Sequence, residues 1–127
     1  MKVVALIARL LLGLIFFVFG LNGFLHFIPM GQMPTGLAGQ YIGALLQSHY
    51  IYFVAALQVV GGLLLLVGRY VPLGLTLLGP VIVNILLYHI LMDPKGLPMA
   101  CIVAILWGIV AFRHRQYFSG LFVQKAA

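Results

Sequence analysis

The chain has 127 residues, 65% of them apolar and only 6% charged, with a mean hydropathy of +1.22. A soluble fold carries roughly 25% charged residues, so these proportions exclude a water-soluble domain and make lipid the solvent. The net charge of +6 comes from bases scattered at segment ends, which points to membrane topology and excludes nucleic acid as a partner.

The first apolar segment runs over 3–27, long enough to span with some tilt. It opens on Lys2 like a secretory signal, but its apolar run is too long and no small-x-small cleavage site follows. It is therefore expected to be a retained helix. Arg9 interrupts it, with Gly13 and Gly20 near the same face, a stripe that lets a neighbouring helix approach.

Pro29, Gly31 and Pro34 end that helix. Thr35 then suits a helix cap, and the spacing of Leu37, Ala38, Tyr41, Ile42 and Leu45 predicts an amphipathic helix over 36–47. It is too short to cross a bilayer and is read as a surface helix or a lid over the bundle.

A second span covers 51–67, with an aromatic belt of Tyr50, Tyr52 and Phe53 at its start. Ala55, Gln58 and Gly62 share a face there, which predicts a helix contact with an interhelical hydrogen bond. A very short loop makes the third span, 72–92, its antiparallel neighbour. Pro72 suits that span's start, and Pro80 within it should kink the helix and free a backbone carbonyl. The fourth span covers about 97–115, with Trp107 near an interface and Arg113-His114-Arg115 as a stop.

The expected fold is thus an all-α membrane protein, a four-transmembrane-helix bundle with a short amphipathic helix between the first two spans. Such a chain has both ends on one side. That side holds Lys2, Arg9, Arg69, Arg113, Arg115 and Lys125, while Lys95 stands alone opposite. The charge bias places both ends inside.

Polar groups inside lipid are costly and so need partners or a use. Six of them fall in the half under the lid: Asn22, His26, Gln58, Asn84, His89 and Asp93. Asn22–His26 and His89–Asp93 are spaced i, i+4, so the Asp93 carboxylate could accept from the His89 ring and orient it. Each also has a plainer reading. The amides serve as interhelical hydrogen bonds, the histidines face headgroups, and Asp93-Pro94 makes a turn. Arg9 sits about 10 Å in from the helix start, so it either snorkels, plays a structural part or meets an anionic ligand.

The lone cysteine, Cys101, excludes an internal disulfide or a Cys-x-x-Cys pair and is expected to be a small packed side chain. No serine triad, phosphate loop or H-E-x-x-H occurs, and no metal site is expected. No catalytic residue is assigned.

Three stretches carry a family resemblance: RLLLGLIFFVFGLNGF with Arg9, Gly13 and Gly20; QVVGGLLLLVGRYVPLG with Gln58, Gly61, Gly62 and Gly68; and GPVIVNILLYHILMDPKGLP with Pro80, Asn84, His89 and Pro94. In order and spacing the chain resembles the DoxX family of small bacterial membrane proteins over about residues 5–115. The resemblance implies a four-helix bundle in a bacterial inner membrane and a link to quinone- or thiol-related redox metabolism.

The leading functional expectation is a redox-linked membrane subunit that binds a quinone or other lipid-soluble ligand in a pocket under the lid, alongside a redox protein partner or a second copy. A non-catalytic lipid-binding, assembly or transport module is the alternative. A third reading is bis-histidine haem ligation by His26 and His89.

Overall fold

The computed structural model describes residues 2–26 and 33–125. Among them every regular element is helical: α1 (Lys2–Leu25), α2 (Gly36–Gln47), α3 (Tyr50–Val67), α4 (Val71–Leu91) and α5 (Leu97–Arg113), with short 3-10 segments at Pro94–Gly96 and Arg115–Phe122. Four spans of 24, 18, 21 and 20 residues are long and apolar enough to cross a membrane, the last joining Pro94–Gly96 to α5. At 1.5 Å per residue even the shortest reaches about 27 Å, close to the roughly 30 Å of a hydrocarbon core. The chain is an all-α, multi-pass four-helix membrane bundle.

Helix α1 packs between α3 and α5, and α4 packs between the same two on the far side. The shared core is Leu12 and Phe16 from α1, Leu65 from α3, Leu75 and Leu78 from α4 and Val110 from α5, all fully buried. The perimeter carries large apolar side chains such as Ile7, Leu14, Leu87 and Ile105, all exposed. This is the pattern of a bundle whose surface faces lipid.

Two glycine seams set the helix spacings. The α1–α3 seam is the tighter. A Cβ added at Gly62 would lie 2.6 Å from the Phe17 amide nitrogen, and one at Gly13 would lie 2.9 Å from the Gly62 carbonyl oxygen. Gly20 continues the seam against Val59 and the Ala55 carbonyl. The expected small-residue stripe of α1 therefore meets α3. Helices α3 and α4 meet at Gly61 and Gly74, where a Cβ on Gly74 would stand 3.1 Å from the Gly61 carbonyl oxygen.

Several element ends differ from the expected ones. Helix α1 closes at Leu25, with His26 in the left-handed region (φ 52) and its N–H donated to the Asn22 carbonyl at 2.8 Å. The helix-ending role expected for Pro29 and Gly31 lies outside the described residues. Helix α5 closes at Arg113, where His114 caps it and the chain tightens into a 3-10 segment. Thr35 occupies the N-cap of α2 without a side-chain hydrogen bond; its carbonyl takes the Gly39 N–H at 3.5 Å. Leu37, expected on the packed face of α2, is exposed, while Ala38 is buried.

Two further findings concern α5. Cys101 is exposed on the bundle perimeter, a correction to the packed side chain expected of it. Trp107, expected near an interface, also has a partner inside the bundle. Its half-buried indole donates to the Leu75 carbonyl at 2.9 Å, tying α5 to α4. That carbonyl lies five residues before Pro80, and α4 runs through the proline without a break in its helical assignment.

Candidate functional site

One end of the bundle is basic. It gathers the start of α1, the Gly68–Tyr70 turn between α3 and α4, and the end of α5. The opposite end carries α2, which a two-residue joint at Ser48 and His49 folds back over the start of α3. His49 adopts φ 64 to make that reversal.

Beneath α2, where α3 and α4 part, lies a cleft of about 710 Å³. Its volume is within the range of about 300–1,000 Å³ common for small-molecule sites. Helix α2 supplies Tyr41, Ile42 and Leu45 as the roof. Gln58 enters from α3, and Asn84, Tyr88 and His89 from α4. Ser48 and Tyr50 line it at the α2–α3 joint, and the rest of the lining is apolar, including Phe53, Leu57 and Val81. The two tyrosines meet across the roof, ring centroids 5.6 Å apart. Asn84 is exposed, so the cleft opens at the perimeter of the bundle.

The chemistry of the lining is unbalanced. Among the described residues, neither the Gln58 nor the Asn84 amide has a hydrogen-bond partner, and neither do the hydroxyls of Tyr41 and Tyr88. The interhelical hydrogen bond expected of Gln58 is absent among the described residues. Ala55 and Gly62 turn toward α1, whereas Gln58, a turn's fraction away, looks into the cleft. In hydrocarbon an amide without a partner is costly, and the usual answer is a neighbouring helix or a ligand.

His89 is held on several sides. Its Nδ1 lies 3.0 Å from the Asp93 main-chain carbonyl oxygen. A carbonyl only accepts, so Nδ1 carries the proton and Nε2 is the ring's acceptor in the neutral form. The expected pairing with the Asp93 carboxylate is thereby corrected. The helix ends at Leu91, the Met92 and Asp93 amides both return to the Tyr88 carbonyl, and this turn brings the Asp93 main chain, not its side chain, under the ring. Tyr88 meets the imidazole edge to face at 4.9 Å. Gly96 lies so close that a Cβ there would collide with the ring.

Of the six residues singled out from sequence, the cleft unites Gln58, Asn84 and His89. Asn22 is 5% exposed and turned into the bundle, His26 is exposed at the end of α1, and Asp93 sits in the turn behind His89. None of these three lines the cleft, so Asn22–His26 form no paired site with it, and the cleft receives one imidazole rather than two. Tyr41 and Tyr88 were missed. Tyr41 stood in the lid's apolar pattern, which hid its hydroxyl, and Tyr88, next to His89 on the same helix, was not singled out. Among the described residues no cluster of three or more His, Cys, Asp or Glu could hold a metal ion.

Comparison with known proteins adds nothing further: no family model, no curated protein and no solved structure matches the chain. Fold and site together define a class, a polytopic α-helical membrane protein with a mostly apolar cleft that opens at the bundle perimeter.

Proposed function

We propose that the chain is a membrane subunit that binds a lipid-soluble ligand of the quinone type in the α2–α3–α4 cleft. One observation carries the reading: the Gln58 and Asn84 amides and the Tyr41 and Tyr88 hydroxyls, without hydrogen-bond partners among the described residues, converge in a mostly apolar cleft that opens sideways. The donor set fits such a head group. Gln58 and Asn84 offer amide N–H groups to ring carbonyls, the tyrosine hydroxyls can donate or accept, and the Nε2 of His89 accepts a hydroxyl proton. When bound, a quinone would supply two-electron redox chemistry; the protein supplies orientation and a fixed imidazole tautomer. The DoxX-like layout, a redox protein partner and an inner-membrane location with both ends inside belong to the same proposal, supported by the gathering of basic residues at one end of the bundle.

The test is saturable binding of decyl-ubiquinone to the full chain in nanodiscs, with one site per chain expected. The reading falls if the wild-type chain binds no quinone analogue. A second reading, a module that holds a phospholipid without chemistry of its own, draws on the same sideways opening, which admits acyl chains. Native mass spectrometry that finds phospholipid and no quinone in this cleft would favour it.

A further inference from the structure

A second cleft, of about 310 Å³, lies at the basic end. Lys2 and Arg9 from α1 meet Arg113 and His114 at the end of α5 there, with Val3 and Leu6 as an apolar wall. The chain has one acidic residue, Asp93, and it lies just beyond the far end of α4. The 21 residues of that helix put it about 30 Å away, so no acidic side chain can serve as counter-ion.

Positive charge at one end of a membrane bundle usually just faces water. Arg69 and Arg115 fit that description. Both are exposed and outside the cleft, and Arg115 donates to the Phe112 carbonyl at 2.8 Å while lying over the Phe112 ring at 4.2 Å. Arg9 does not fit. It is half-buried, and its guanidinium lies against Gly68, at φ 74, where any Cβ would collide with it. Lys2, Arg9 and Arg113 have no hydrogen-bond acceptor or ion-pair partner among the described residues. His114 is fixed by its Nδ1, which donates to the Val110 carbonyl at 3.0 Å.

We propose that this cleft binds one phosphate-bearing anion, with Arg9 and Arg113 as the principal ligands. Two guanidinium forks suit phosphate oxygens, and Lys2 adds a point charge. The shape favours a phospholipid as the source. Val3 and Leu6, 67% and 46% exposed, continue the cleft along the outside of α1, where an acyl chain can lie. Basic pockets between membrane helices commonly take anionic head groups. The site is at the opposite end from the quinone-type cleft and does not depend on it.

Native mass spectrometry of the full chain in mild detergent tests this with phosphatidylglycerol, phosphatidylcholine and inorganic phosphate. We expect one phosphatidylglycerol retained about tenfold better than phosphatidylcholine, an about tenfold loss in R9Q/R113Q, and retention within about twofold in R69Q/R115Q, which removes the same charge outside the cleft. Displacement of the lipid by millimolar inorganic phosphate would support the phosphate site and place its source in solution. Equal loss in both double variants means diffuse surface charge and overturns the proposal, as does full retention in R9Q/R113Q. Should R9Q/R113Q lack helical circular dichroism, R113Q/H114Q carries the test with the same expected loss.

Discussion

On one side of α3, Ala55 and Gly62 bring its backbone directly against α1; on the other, Leu57 and Gln58 stand off from α4 and leave a cleft. Both seams join apolar helices in lipid, where no hydrophobic force drives helices together and close packing must do the work. The difference is where the glycines stop. Gly13 and Gly20 keep α1 close over two turns, whereas Gly61 and Gly74 join α3 to α4 only toward the basic end. Beyond them come Gln58 and Pro80, Val81 and Asn84, side chains that hold space open. A bundle helix can thus be sealed on one face and receptive on the other through the placement of a few missing Cβ atoms.

The sealed seam should break most severely. Gly62→Val puts carbon against the Phe17 backbone, which cannot yield as a side-chain tip can. We expect a loss of about 3 kcal/mol in unfolding free energy in detergent, typical of serious overpacking. A loss under about 0.5 kcal/mol would show that the seam is looser than described.

The receptive face should respond in ligand binding instead. Asn84→Leu removes an amide that no described residue engages, so unfolding should move by less than about 0.5 kcal/mol while affinity for decyl-ubiquinone falls about tenfold. If stability falls as far as in Gly62→Val, Asn84 has a structural partner and the contrast between faces is lost.

A smaller effect falls on the tie behind the cleft. Trp107→Phe keeps the ring but loses the 2.9 Å hydrogen bond to Leu75, at a cost of about 1 kcal/mol in the same unfolding measurement. An unchanged unfolding curve would show that the carbonyl finds another donor.

The smallest change is expected at Gly43 on the lid, whose added Cβ would meet nothing within 4 Å. Gly43→Ala should stabilise α2 by up to about 1 kcal/mol through helix propensity alone, read as slower amide exchange over 36–47. Faster exchange would mean that the lid packs on something there.

The spans, the lid helix and the one-sided gathering of basic residues were legible because length, apolar runs and charge placement act locally along the chain. The α1 stripe was legible too, since Gly13 and Gly20 repeat at helical spacing. What the chain order concealed was rotation. Ala55, Gln58 and Gly62 lie close on a helical wheel, yet the boundary between two neighbours runs between them. Asn22 and His26 failed to join the cleft because α1 sits on the opposite side of α3 from it. The Asp93 carboxylate was displaced as His89's partner by its own main chain, because Met92 leaves helical geometry at ψ −35 and φ −123 and the turn follows. Spacing alone does not reveal which of a residue's acceptors a turn will present.

The joint between α2 and α3 is only two residues, Ser48 and His49. So short a tether keeps the roof near its post, while Phe53 and Asn84 stay exposed on the flank. Traffic would then pass through the flank between Phe53 and Asn84, so occupancy would follow how strongly a molecule partitions into the membrane rather than its level in water. Diluting the same amount of ligand into more lipid should therefore empty the chamber with no change in the protein itself.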